Sequence, residues 1–106
     1  MAKLVRLHFS ESDRHRGRPL YEAIVEKCRE MRIAGATVFR GLEGYGETAG
    51  LHRARWFTRE QPIVVVIVDA AENIDRLLPA VEEMMDTGLI ALSEVSVVRV
   101  QKSARQ

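Results

Sequence analysis

The sequence predicts an α+β domain of the ferredoxin-like type: one four-stranded antiparallel sheet with two helices on one face. Two observations carry this. Two segments hold apolar residues at helical spacing, and four others read as strands. Their order is βαββαβ, the split βαβ arrangement. The 106 residues suffice for one domain with one core, spanning 1–106.

Lys3 to Phe9 alternates, with Val5, Leu7 and Phe9 on one side and Leu4, Arg6 and His8 on the other, as in a half-buried strand. Ser10 to Arg18 is polar and turn-like, and Pro19 suits the first position of a helix. Leu20, Ile24, Cys28 and Met31, flanked by Tyr21 and Val25, form its apolar face. Glu22, Glu26, Lys27 and Glu30 take the wet side, and Gly35 reads as the C-terminal stop. Ala36 to Gly41 is the second strand and Pro62 to Val68 the third. Asp69 or a neighbour caps a second helix with Ile74, Leu77, Leu78, Val81 and Met84 on its face, ending at Thr87-Gly88. Pro79 inside that pattern predicts a kink or a two-piece start. Glu94 to Val100 reads as the fourth strand and Gln101 to Gln106 as a frayed polar tail.

The third strand carries a further implication. Its six consecutive β-branched residues should bury both faces. Two helices cover only one face, so the other requires a partner, and another copy of the chain is the simplest.

The functional end is expected in the long connection of about residues 42–61. Compact domains keep connections beyond about 15 residues mainly where they are functional or disordered. Gly41, Gly44 and Gly46 stand at its base, and Tyr45, Arg53, Arg55, Trp56 and Phe57 are the residues expected to dock a partner protein. Sixteen basic residues oppose 15 acidic ones, for a net charge of +1. That balance speaks against a dedicated nucleic-acid or anionic-membrane binder. Thirteen of the 16 are Arg, clustered at 14–18 and 53–59, and Arg suits bidentate contact with phosphate or carboxylate. The lone Cys28 excludes an internal disulfide and reads as a small core hydrophobe. Without a signal-like N-terminus or a spanning apolar run, the expected setting is cytoplasmic, with no direct membrane insertion.

Several chemistries have no counterpart in the sequence. There is no P-loop, and Gly44-Tyr45-Gly46 lacks the third glycine of a dinucleotide fingerprint. His8, His15 and His52 do not have metal-ligand spacing. The third strand offers no aromatic to stack an RNA base. The loop-flanking acids Glu11, Asp13, Glu43 and Glu47 read as solvated. Arg14, Arg16 and Arg18 precede the first helix, whose N-terminus favours anions, and Arg40 and His52 are placed to approach the same cleft across a subunit boundary.

Glu11-Ser12-Asp13, Gly17-Arg18-Pro19-Leu20-Tyr21-Glu22-Ala23-Ile24-Val25, Gly35 to Gly41 and Gly44-Tyr45-Gly46 together resemble the domain of unknown function 190 family, which is PII-like. The resemblance covers about residues 3–100. It implies a ferredoxin-like protomer, a homotrimer and clefts between protomers. In the wider PII superfamily the loop between the second and third strands reads the effector, and nucleotides sit near its base. Carried over by order, that implies a small anionic effector such as an adenine nucleotide near Gly41, Gly44 and Gly46. It implies a cleft-facing role for Arg99 and a regulated partner such as a membrane transporter. Two departures stand out. Asp86 to Leu92 lacks the basic residues of the PII phosphate loop, and Tyr45 lies at the loop base rather than at the tip, where PII proteins are modified. The expected function is signalling without catalysis and without a resident cofactor. The alternatives are a metal-responsive or purely protein-binding trimer, and a small enzyme using the loop acids and His52.

Overall fold

The computed structural model describes residues 1–42 and 61–102. Chain order is β1 (Ala2–Ser10), β2 (Arg14–His15), β3 (Arg18–Pro19), α1 (Leu20–Glu30), β4 (Ala36–Arg40), β5 (Pro62–Ala70), α2 (Ala71–Met84) and β6 (Leu89–Val95). The main sheet is antiparallel with order β4-β5-β1-β6. This is the predicted α+β ferredoxin-like arrangement, with a small β2–β3 hairpin added between β1 and α1.

Alternation puts Val5, Leu7 and Phe9 of β1 beside Ile67, Val65 and Ile63 of β5. All six are buried in one cluster with Leu20, Ala23, Ile24 and Cys28 of α1 and Ile74, Leu77, Val81 and Met84 of α2. Both helices therefore cover the same sheet face. Burying each large apolar side chain is worth roughly 1.5–3 kcal/mol, so this cluster dominates stability. Val64, Val66 and Val68 point to the other face and are only half-buried. The expectation that β5 is buried on both sides therefore does not hold within one protomer.

Several boundaries differ from the sequence reading, each for a local reason. The fourth strand is Leu89–Val95, not Glu94 to Val100. Its register on β1 runs from His8↔Leu89 to Ala2↔Val95, where β1 itself begins. Valine-rich 96–100 carries strand propensity without a neighbouring strand among the described residues. Pro19 is the N-cap, so the helix begins at Leu20. Gly35 is not the stop of α1. Arg32 takes the left-handed conformation (φ 61°), and the Arg32 and Ile33 amides donate to the carbonyls of Arg29 and Cys28. That is a Schellman closure with arginine where glycine is usual.

The N-cap of α2 is Ala70, with no side-chain cap. Asp69 acts beside it, accepting from the backbone amides of Ala34 (2.8 Å) and Ala70 (2.6 Å) and from Asn73 Nδ2 (3.1 Å). It thereby ties the α1–β4 turn to the end of β5. Pro79 lies within a single continuous α2, on its exposed side, so the helix has no two-piece start. α2 ends at Met84 and is capped by Met85. Gly88 serves β6 instead. Its φ is +135°, and a Cβ there would lie 2.5 Å from the His8 carbonyl oxygen and 2.7 Å from Met85 Cε.

Gly88→Ala should therefore destabilise by about 2–4 kcal/mol, since it adds backbone strain to a clash with the central strand. The expected drop in melting temperature is on the order of 10 °C. Pro79→Ala should act oppositely, restoring an amide donor toward the Asp75 carbonyl and adding about 1–3 kcal/mol in chemical denaturation. An unchanged midpoint for the alanine variant would mean that the helix already accommodates the ring without loss.

Candidate functional site

The β2–β3 hairpin organises the basic cluster ahead of α1. Its turn residues, Arg16 (φ 52°) and Gly17 (φ 82°), are both left-handed, as a type I′ hairpin turn requires. Asp13 anchors the base. Its carboxylate accepts from the Ser10 amide (3.0 Å), and its carbonyl accepts from the Leu20 amide (2.8 Å). The register pairs His15 with Arg18 and Arg14 with Pro19. Because alternate residues face opposite ways, His15 and Arg18 share one face of the hairpin and Arg14 lies on the other.

The His15–Arg18 face borders a cleft of ≈ 200 Å³ against α1, whose lining includes Arg16, Glu26, Lys27 and Glu30 over Ala23 and Met84. Lys27 pairs with Glu30 at 3.1 Å. Among the described residues neither Arg16 nor Arg18 has an ion pair. Their guanidinium groups are exposed, and each presents a planar fork of donors. The cleft brings the Arg16 and Arg18 guanidinium groups and Lys27 together, with Glu26 and Glu30 opposing their charge. His15 and Lys27 were not picked out from sequence. The signal that would have found them is Arg16-Gly17 read as a two-residue hairpin turn.

The second cluster is the base of the long loop. Arg40, at the end of β4, meets Glu11 at 2.7 Å. Both side chains are well exposed, so the pair is worth at most about 1 kcal/mol. The Gly41 amide donates to the Pro62 carbonyl at 2.7 Å, and the Glu11 amide to the Gln61 carbonyl at 2.9 Å. A Cβ on Gly41 would stand 2.8 Å from Pro62 Cγ, so glycine lets the two ends of the loop close on each other. The loop thus leaves and re-enters through a clamp of Glu11, Arg40, Gly41, Gln61 and Pro62. Glu11, read from sequence as a solvated acid, is the partner that Arg40 finds.

Arg99 is exposed and lies beyond β6, which ends at Val95, so it is not near the end of the last strand as expected. The predicted residues Gly44, Tyr45, Gly46, His52, Arg53, Arg55, Trp56 and Phe57 lie outside the described residues. Leu89 to Leu92, read as the end of a loop replacing the PII phosphate loop, belongs to β6. Among the described residues no group of His, Cys, Asp and Glu is arranged to hold a metal ion, and no helix is long and apolar enough to cross a membrane.

The groups with shifted protonation serve the fold. Burial pushes the Cys28 thiol up to about 11, so it stays protonated and unreactive near neutrality. Lys3 is raised by its hydrogen bond to Asp75. For Asp69, partial burial pushes the carboxyl up. The Ala34 amide, Asn73, the Ala70 amide and the charge of Arg76 together outweigh it and hold the group below its ordinary value.

The family model of domain of unknown function 190, described as "Uncharacterized ACR", matches residues 2–97. The chain belongs to this family. It is 37% identical to a UPF0166 protein of Aquifex aeolicus over 98 residues, covering 91% of this chain and 92% of that one. It is 32% identical to a UPF0166 protein of Methanocaldococcus jannaschii over 101 residues, covering 92% and 93%. Among solved structures it is similar to the de novo designed protein Foldit4, at a TM-score of 0.49 and 14% identity over 92% of this chain and 97% of that one.

The lowered Asp69 value fixes the sign of one pH effect. A carboxyl depressed on folding stabilises the fold above its unfolded value, 3.8 for the reference group, and that stability is lost as pH falls through the lower folded value. Asp69→Asn should be less stable than the parent at pH 7, and the gap should narrow as pH drops below about 4. Parallel denaturation curves from pH 7 to pH 3 check this. A constant gap would mean the anionic charge is irrelevant.

Proposed function

We propose that this chain is the protomer of a homotrimeric PII-like regulatory protein. It senses a small anion, an adenine nucleotide or a related phosphate compound, at clefts between protomers. It acts on a partner through the 42–61 loop and turns over no substrate. The partner class is a membrane transporter or another regulated protein, an assignment that rests on the PII-like resemblance alone.

The observation that carries this reading is the helix-free face of the sheet. Its cross-strand rows are Phe39–Val64–His8–Leu89, Thr37–Val66–Arg6–Ala91 and Val68–Leu4–Ser93. Phe39 is 54% and Leu89 58% exposed. Among the described residues no element of the chain covers this surface. Seven of these eleven residues are apolar, with Arg6, His8, Thr37 and Ser93 among them; an exposed face of this mixed kind suits an interaction surface, and a second copy offers a surface of the same chemistry.

Two features support ligand sensing. Arg16 and Arg18 are forked donors without an acid partner among the described residues. The loop is clamped at its base by weak, exposed contacts, so a ligand or partner that rearranges Arg40 and Glu11 has only about 1 kcal/mol of ion pairing to displace. Among the described residues the groups of shifted protonation are Cys28 in the core, Asp69 beside the start of α2 and Lys3 on β1.

Light scattering followed by a thermal-shift panel of AMP, ADP, ATP, cyclic nucleotides, bicarbonate and divalent metals tests the reading. The expected mass is that of a trimer, and Val66→Asp should reduce it. One anion should raise the melting temperature, since a ligand at 100 times its Kd adds about 2.7 kcal/mol. Arg18→Glu should abolish that shift. A monomeric parent, or a trimer that responds only to a metal, would count against the proposal.

A further inference from the structure

The ionisable residues of the four main strands divide unevenly between the two faces of the sheet. Side chains alternate along a strand, so Lys3 and Asp69 share the helix-covered side with buried Val5 and Ile67. Arg40 pairs with buried Ile63, and Glu94 pairs with Lys3, which puts both on that side as well. Arg6 and His8 of β1 take the opposite, helix-free side. Among the described residues of the four strands, that face therefore carries two basic side chains and no carboxylate.

His8 stands in the middle of its row. Val64 of β5 lies on one side of it and Leu89 of β6 on the other, with Phe39 of β4 beyond Val64. Its same-side neighbours along β1 are Arg6 and Ser10, so Arg6 is the charged group that faces it from these strands. The two cations differ in what burial would do to them. Arg6 is exposed and keeps its charge, but its long apolar stem lets the guanidinium reach toward the rim of a closed face. His8 is half-buried on a short side chain between apolar neighbours, and it can shed its charge instead.

Copies that meet over this face bring the same residues together. The face of a second copy contributes a further Arg6 and a further His8, and no carboxylate from the described strands. Burial disfavours a charged imidazole, and a neighbouring guanidinium disfavours it further. Both effects have one sign. Assembly expels the proton of any His8 that is charged beforehand, and acid therefore opposes assembly.

We propose that self-association over the helix-free face is gated by the protonation of His8: the neutral imidazole fits the closed face and the imidazolium opens it. The proposal rests on the homo-oligomer reading above and adds to it the condition under which the assembly holds. An ordinary histidine gains its charge near pH 6.5, so the gate works between about pH 5 and pH 8. That window lies above the acid range in which Asp69 loses its charge.

The test uses the full chain at constant ionic strength. Light scattering over a dilution series gives the association constant of the parent, of His8→Gln and of His8→Lys from about pH 8 to about pH 5.5. Circular dichroism at each point confirms that the chains stay folded. The parent should weaken as pH falls, by up to about tenfold in association constant per pH unit for each His8 that assembly buries. H8Q, which cannot take up a proton, should stay assembled across the range, so that any contribution from His15 or His52 is read separately. H8K, which carries the charge throughout, should be dissociated even at the alkaline end. An oligomer that keeps its mass throughout, or whose acid dissociation H8Q reproduces, overturns this inference and leaves the homo-oligomer standing. A parent that is monomeric at about pH 8 overturns both.

Discussion

β1 is the strand on which the other elements take their measure. It pairs on both sides, from Ala2 to Ser10 with β5 and from Ala2 to His8 with β6. Its alternation decides which face meets the helices. Its pairing with β6 ends at Ala2↔Val95. Its His8 carbonyl comes so close to Gly88 that only glycine fits where β6 begins. The turn at Ser10 to Asp13 then launches the hairpin and α1, while Glu11 in that turn reaches both ends of the long loop. A change in β1 length or register would move the core, the hairpin and the loop clamp together.

Elements that depend on local periodicity were legible in the sequence. The alternation of Val5, Leu7 and Phe9 and the helical spacing of Ile74, Leu77, Val81 and Met84 are properties of short windows, and the core followed from them. Two errors share another origin. The fourth strand was placed by propensity at Glu94 to Val100, whereas its position is set by pairing with a strand some ninety residues earlier. The stop of α1 was assigned to Gly35 because glycine tolerates left-handed backbone. The closure used Arg32, for which burial of Ile33 beside Cys28 compensates.

The site was legible by composition but not by geometry. Arg14, Arg16 and Arg18 read as one cradle, since sequence spacing alone does not reveal a two-residue turn. The I′ turn at Arg16-Gly17 splits them, sending Arg18 toward His15 and Lys27 and Arg14 to the opposite face. Gly41 was marked as a ligand-approach glycine, and its contact with Pro62 gives it a structural reason as well. Arg40 finds its acid in Glu11, twenty-nine positions earlier, a pairing that requires the β1–β5–β4 order.

Three separate features describe one deficit. The sheet has two faces and helices for only one. Its outer strand β4 pairs, among the described residues, with β5 alone. Its chain continues past β6 in valines that are exposed and, among the described residues, lie beside no strand. In a monomer each would need its own explanation, and each is a recognised liability for solubility. The proposed homo-oligomer would cover the helix-free face with a surface of the same chemistry. The cations beside the cleft would gain a role in such an assembly that a lone protomer does not give them. Arg16 and Arg18 border an open cleft, and a neighbouring surface would supply the wall that turns an exposed guanidinium fork into an enclosed one, where desolvation strengthens its hold on an anion.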